Sequence, residues 1–120
     1  MIIISGDLDR HEVCDVTTVG RVTGRPHRIE IWFAHDNGTM YLLSGGSDRS
    51  DWVRNLLANP AVTVDIAGAS FSGRGRVVEA GTDEDRLARD LVFAKYTPNY
   101  AGDLTEWRDT ALPVAIDLQV

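Results

Sequence analysis

His27-Arg28-Ile29-Glu30-Ile31-Trp32-Phe33-Ala34-His35 places Ile29, Ile31 and Phe33 on one face and Arg28, Glu30 and Trp32 on the other. That period of two marks a half-buried strand. Before it, Val13, Val16, Thr17, Thr18 and Val19 favour another strand over residues 12–19. The turn formers Gly20-Arg21-Val22-Thr23-Gly24-Arg25-Pro26 separate the two, so they read as a hairpin with a long loop. After it, Asp36-Asn37-Gly38 offers residues that accept positive φ, which predicts a tight hairpin into a strand over residues 39–44.

Working outward, Ser44-Gly45-Gly46-Ser47 opens a loop, and Ser50 is placed to cap a short helix carrying Trp52, Val53, Leu56 and Leu57, ended by Asn59-Pro60. Val62, Val64 and Ile66 mark a further strand, Gly68 a turn, and residues 71–80 the next strand. Gly73 and Gly75 on one face of that strand predict a bend or a close approach of another element. Thr82-Asp83-Glu84-Asp85 resembles a capping box ahead of an amphipathic helix with Leu87, Ala88, Leu91 and Val92, which stops before Pro98. A short piece with Leu104 and Trp107 follows, and Val114, Ile116 and Leu118 close on a strand. Most strand connections are too short for parallel crossovers, so a small, mainly antiparallel barrel is expected rather than a parallel sheet.

The 120 residues, 43% hydrophobic and 25% charged, suit one globular core, with no repeat or linker to divide residues 1–120. The Met1-Ile2-Ile3-Ile4 run is too short for a signal peptide or a membrane span, so a cytoplasmic protein without membrane insertion is expected. A net charge of −6 argues against a nucleic-acid partner. That charge is uneven, because residues 20–28 carry Arg21, Arg25 and Arg28 and no acid.

Metal chemistry finds no support: Cys14 is the only cysteine, and His27 and His35, on one strand, stand roughly 26 Å apart. Cys14 reads as a small buried hydrophobe. No nucleophile-elbow pattern is present, and the acids Asp83, Glu84 and Asp85 suit a helix N-terminus without catalysis. The glycine loop at residues 44–47, just before a helix start, suits an anion, although a plain turn accounts for it equally. Beside the arginine hairpin, it points to an acidic cofactor.

These segments carry a resemblance: Thr17-Thr18-Val19-Gly20-Arg21-Val22-Thr23-Gly24-Arg25-Pro26-His27, then Ile31-Trp32-Phe33, Leu43-Ser44-Gly45-Gly46, Asp51-Trp52-Val53-Arg54-Asn55-Leu56 and Asn59-Pro60-Ala61-Val62-Thr63-Val64. Tyr96, Tyr100, Trp107-Arg108 and Leu112-Pro113-Val114 extend it over nearly the whole chain. The sequence resembles the deazaflavin (coenzyme F420)-dependent nitroreductase family. The resemblance implies an α+β, mainly β fold: a split β-barrel of about six mostly antiparallel strands with two or three short helices. It implies coenzyme F420, an 8-hydroxy-5-deazaflavin, as cofactor and hydride transfer to a quinone, enone or nitroaromatic acceptor.

It further implies Arg21, Thr23, Arg28, Ser44, Gly45, Gly46, Trp52 and Asn55 as cofactor contacts. Tyr96 and Tyr100 become candidate catalytic hydrogen-bond donors; Tyr96, Tyr100 and Trp107 serve equally as core or lid packing. Two departures bear on affinity and access. Val22-Thr23 stands where many relatives have Lys-Ser, which removes one cation, and the short lead before the first strand suggests a more open acceptor pocket. FMN in the same fold, a non-catalytic coenzyme binder and a barrel acting only as an interaction module are the rival readings, and a homodimer is left open.

Overall fold

A computed structural model describes residues 6–119; the Met1-to-Ile4 run lies outside the described residues. In chain order the elements are α1 (Gly6–Asp9), β1 (Val13–Val19), β2 (Pro26–Trp32), β3 (Ala34–Asp36), β4 (Thr39–Ser44), a 3₁₀ turn (Ser47–Arg49), α2 (Asp51–Ala58), β5 (Ala61–Ile66), β6 (Ala69–Val77), α3 (Asp83–Tyr96), a 3₁₀ turn (Thr97–Asn99), α4 (Thr105–Thr110) and β7 (Leu112–Gln119). Among the described residues no helix is long and apolar enough to cross a membrane.

The seven strands form one antiparallel sheet in the order β2-β1-β5-β6-β7-β4-β3. The first and last strands of that order, β2 and β3, are separated in sequence only by Phe33. Two Cα–Cα steps span at most about 7 Å, so the sheet has to curl until its two ends meet. This is the mainly β split barrel, with a seventh strand arising because the run expected as one strand over residues 27–35 is broken at Phe33.

Alternation sorts the side chains. Cys14 and Val16 on β1, Met40 and Leu42 on β4, Val62 and Val64 on β5, and Val114 and Ile116 on β7 fill the barrel interior with Phe33, Val53 and Leu56. Burial pushes the Cys14 thiol up to about 12, so it remains protonated at neutral pH. The opposite face of β4 and β7 is covered by α3, whose Ala88, Val92 and Tyr96 recur at a spacing of four and pack on Tyr41, Leu43 and Ala115. Leu87, expected on that face, is 38% exposed instead. Thr82 caps α3 by accepting the Asp85 N–H at 3.1 Å, while the Asp85 carboxylate accepts the Gly81 N–H, one residue outside a strict capping box.

The hairpin at Asn37-Gly38 has φ of 52° and 85°, the left-handed pair expected of that dipeptide. A Cβ on Gly75 would lie 2.2 Å from Leu56, so this bare stretch of β6 is what admits α2 against the barrel. Ser50 precedes α2 but makes no side-chain cap; its Oγ lies 3.0 Å from Ser44 Oγ.

Candidate functional site

At one end of the β1–β2 pair, the loop after β1 is tied by its own backbone. The Gly20 N–H donates to the Arg25 carbonyl and the Gly24 N–H to the Gly20 carbonyl, both at 2.8 Å. Arg21 leans back onto α2. Its backbone N–H and guanidinium both donate to Asn55 Oδ1, at 3.1 and 2.8 Å, and the guanidinium pairs with Asp51 at 3.1 Å. Asn55 is almost fully buried and donates onward to Thr18 Oγ1 at 3.2 Å, so its amide is fixed from both sides. Gly20, Arg21, Val22, Thr23, Arg25, Pro26, His27, Asp51 and Asn55 enclose a shallow cleft of about 280 Å³.

The glycine loop runs from β4 to the 3₁₀ turn ahead of α2, the helix whose Asp51 and Asn55 line this cleft. Ser44 Oγ donates to the Ser47 carbonyl at 2.9 Å, which pins the turn. A Cβ on Gly46 would lie 2.4 Å from Ser50 Oγ, and one on Gly45 would lie 3.7 Å from the Trp107 indole. At Gly45 the loop therefore presents bare backbone to Trp107, one member of an aromatic group.

That group is centred on Trp32. Its ring stacks on Tyr96, with centroids 4.2 Å apart and planes 6° off parallel. Tyr100 and Trp107 each meet it edge-on at 5.8 Å. Beside it lies a cleft of about 510 Å³ lined by Asp9, Arg10, Glu12, Trp32, Lys95, Tyr96, Asn99 and Tyr100. Seven strand residues separate this end of β1–β2 from the arginine loop, roughly 20 Å at 3.3 Å per residue.

The two tyrosines differ. The Tyr96 hydroxyl is buried at the barrel seam. It accepts the Phe33 N–H at 2.9 Å and donates to the Glu12 carbonyl at 2.6 Å, with the Phe33 carbonyl a further 2.9 Å away. Burial pushes its pKa up. Tyr100 is 45% exposed at the rim of the cleft.

The structure thus brings Arg21, Thr23 and Asn55 together at the hairpin, with Ser44, Gly45 and Gly46 on the adjoining loop. Arg28 and Trp52 lie elsewhere. Arg28 is opposite Thr17 on the outward face of the sheet, bound to Asp15 at 2.7 Å and to Asp65 at 3.4 Å. Trp52 is 8% exposed and packs into the barrel core. Trp32, on which Tyr96, Tyr100 and Trp107 converge, was not singled out from sequence; a bulky aromatic on the polar face of an alternating strand was the signal. Lys95 and Asp51 gave none.

Residues 3–119 match the F420H2-dependent quinone reductase family. The chain belongs to that family. It is an F420-dependent oxidoreductase, and coenzyme F420 is its cofactor. Solved structures share the fold. An F420-H2-dependent reductase is 24% identical with a TM-score of 0.70, over 99% of this chain and 100% of that one. A conserved hypothetical protein from Mycobacterium tuberculosis is 22% identical with a TM-score of 0.74, over 99% and 83%. An FAD-binding protein from Mesorhizobium loti is 19% identical with a TM-score of 0.64, over 94% and 85%.

The residues fit such a coenzyme. Among the described residues Arg25, which lines the arginine cleft, and Arg49, in the turn before α2, have no carboxylate partner, so cationic capacity is left over on both segments. Gly46 lets the loop close onto Ser50, Gly45 leaves bare backbone beside Trp107, and Trp32 and Trp107 offer the apolar surface that a planar ring needs.

Proposed function

We propose that this F420-dependent enzyme reduces quinone- or enone-type acceptors and reduces nitroaromatics adventitiously, as one domain working in the cytoplasm. Reduced F420, when bound, supplies a hydride. The observation that carries the reading is the aromatic group of Trp32, Tyr96, Tyr100 and Trp107 beside a cleft of about 510 Å³, with an arginine-lined cleft at the other end of the β1–β2 pair. In this reading Arg21 and Thr23, with the backbone of Ser44, Gly45 and Gly46, hold the coenzyme's acidic tail. Asn55 keeps the Arg21 guanidinium in place, and an incoming anion exchanges with the Asp51 carboxylate. Arg28 braces the outer wall and Trp52 the core. The acceptor sits beside Trp32, where Tyr100 donates a hydrogen bond to its oxygen and Tyr96, engaged with backbone, keeps the Trp32 ring in plane.

The test is a fluorescence titration with F420 and, in parallel, FMN, followed by turnover of reduced F420 over a panel of naphthoquinones, cyclic enones and nitroaromatics. Saturable F420 binding, weakened in Arg21→Ala, with quinone or enone turnover is the expected result. Preference for FMN overturns the use of the site by F420, and tight binding without turnover of any acceptor reduces the chain to a coenzyme carrier.

A further inference from the structure

Lys95 lies near the C-terminal end of α3, yet only 14% of its side chain is exposed. Its Nζ donates to the Phe33 carbonyl at 2.8 Å and stands 3.6 Å from Asp9 Oδ1. It also lies 3.7 Å from the centroid of the Phe33 ring and 5.3 Å from that of Tyr96. Lysine stems usually carry the ammonium out to water, whereas this one is held under the aromatic group by ring faces, a carbonyl and a carboxylate. An ammonium has three protons. One is donated to the Phe33 carbonyl, Asp9 pairs with the charge, and no second hydrogen-bond acceptor for Nζ stands among the described residues beyond the ring faces; Lys95 lines the 510 Å³ cleft with Trp32, Tyr96 and Tyr100.

The charges around it are balanced. Asp9 and Arg10 face the cleft from α1 and the turn after it, and Glu12 from the residue before β1. Cys14 and His35 lie nearby, and Tyr96 adjoins on α3. Two acids and two bases line the cleft, which suits a neutral acceptor that becomes anionic only as it is reduced. Burial lowers the Lys95 pKa, against the opposing pull of Asp9, and so makes the ammonium a readier acid.

We propose that Lys95 is the proton donor that completes reduction of an acceptor seated in this cleft, a role that rests on the acceptor-reducing function above. For an enone, a C–H bond forms at the β-carbon with the hydride that the reduced coenzyme provides. The C=C π pair moves into the bond between the α-carbon and the carbonyl carbon, the C=O π pair moves onto the oxygen, that oxygen takes a proton from Nζ, and the enol so formed tautomerises in water to the saturated ketone. The amine left behind regains its proton from water. A quinone is reduced to its hydroquinone by the same balance of one hydride and one proton. Tyr100 orients the oxygen from the rim, and Lys95 supplies the proton from beneath.

The first readout needs no coenzyme. 4-Nitrophenol, coloured only as its phenolate, is titrated with pH in the presence of wild-type protein, Lys95→Met and Lys95→Arg, with thermal melts to establish that each variant is folded. The second is the pH dependence of kcat for reduced F420 and a naphthoquinone, with F420 affinity measured separately. The wild type is expected to lower the probe's apparent pKa and to lose kcat at alkaline pH. Lys95→Met is expected to abolish the probe shift and to lower kcat about 10²-fold without changing F420 affinity. Lys95→Arg, which keeps the charge but parts with no proton, keeps the probe shift and loses the turnover; if Lys95→Met does not fold, this variant carries the test. An unshifted probe in the wild type, or a variant with wild-type kcat and pH profile, overturns the proposal. A shifted probe with no turnover of any acceptor overturns the function on which it rests, and the proposal with it.

Discussion

The two ends of the β1–β2 pair are built from the same two strands and differ in almost everything else. At the loop end, Arg21 is held by an exposed ion pair and a buried amide, and the loop lies open to solvent. At the other end, Phe33 is fully buried, and both its backbone groups are claimed by α3 side chains. At one end the Arg21–Asp51 pair is open to water and can be broken at little conformational cost. The other holds the Trp32–Tyr96 stack in one arrangement. The difference teaches that the two ends of a single hairpin can be packed to different standards, one open to solvent and one locked into the core.

Replacing Phe33 with Ala probes the contrast at its strongest. Loss of a fully buried ring is expected to cost about 3–5 kcal/mol in urea denaturation, and a similar cost for Arg21→Ala would break the distinction. Tyr96→Phe keeps the ring stack and strips the hydroxyl from the Phe33 N–H and the Glu12 carbonyl. It is expected to cost about 1–3 kcal/mol of stability, read from the same denaturation curves. Arg21→Ala is expected to leave stability within roughly 0.5 kcal/mol while weakening F420 binding about tenfold, or about 1.4 kcal/mol, by fluorescence titration. Val22, 86% exposed on the same loop, offers the smallest change. Val22→Lys returns a cation and is expected to tighten F420 binding by about 0.5 kcal/mol, and the gain should fade as salt is raised.

Local pattern made the hairpin legible. Alternation along β1 and β2, the Asn37-Gly38 turn, the bare face at Gly73 and Gly75 and the Thr82 cap all act within a few residues, so a single sequence records them. The break at Phe33 does not. Its N–H is drawn out of the ladder by a hydroxyl 63 residues further on, and the alternating pattern runs through it undisturbed. The same reason hid Lys95, an ordinary basic residue near the end of a helix until α1 and β1 fold over it. Arginine content marked the loop as cationic but could not separate Arg21, aimed at α2, from Arg28. That distinction follows from register, which places Arg28 beside Thr17 on the outer face.

The position of β7 between β6 and β4 also sets a timescale. β1 to β2 and β5 to β6 are short-range pairings, whereas Thr39 meets Asp117 across 78 residues. Such a closure costs entropy before any contact compensates for it, so the barrel belongs with chains that fold in milliseconds to seconds rather than microseconds. Until β7 is in place, β4 presents an unpaired apolar edge. The slow step of folding is therefore also the one most exposed to association with other chains.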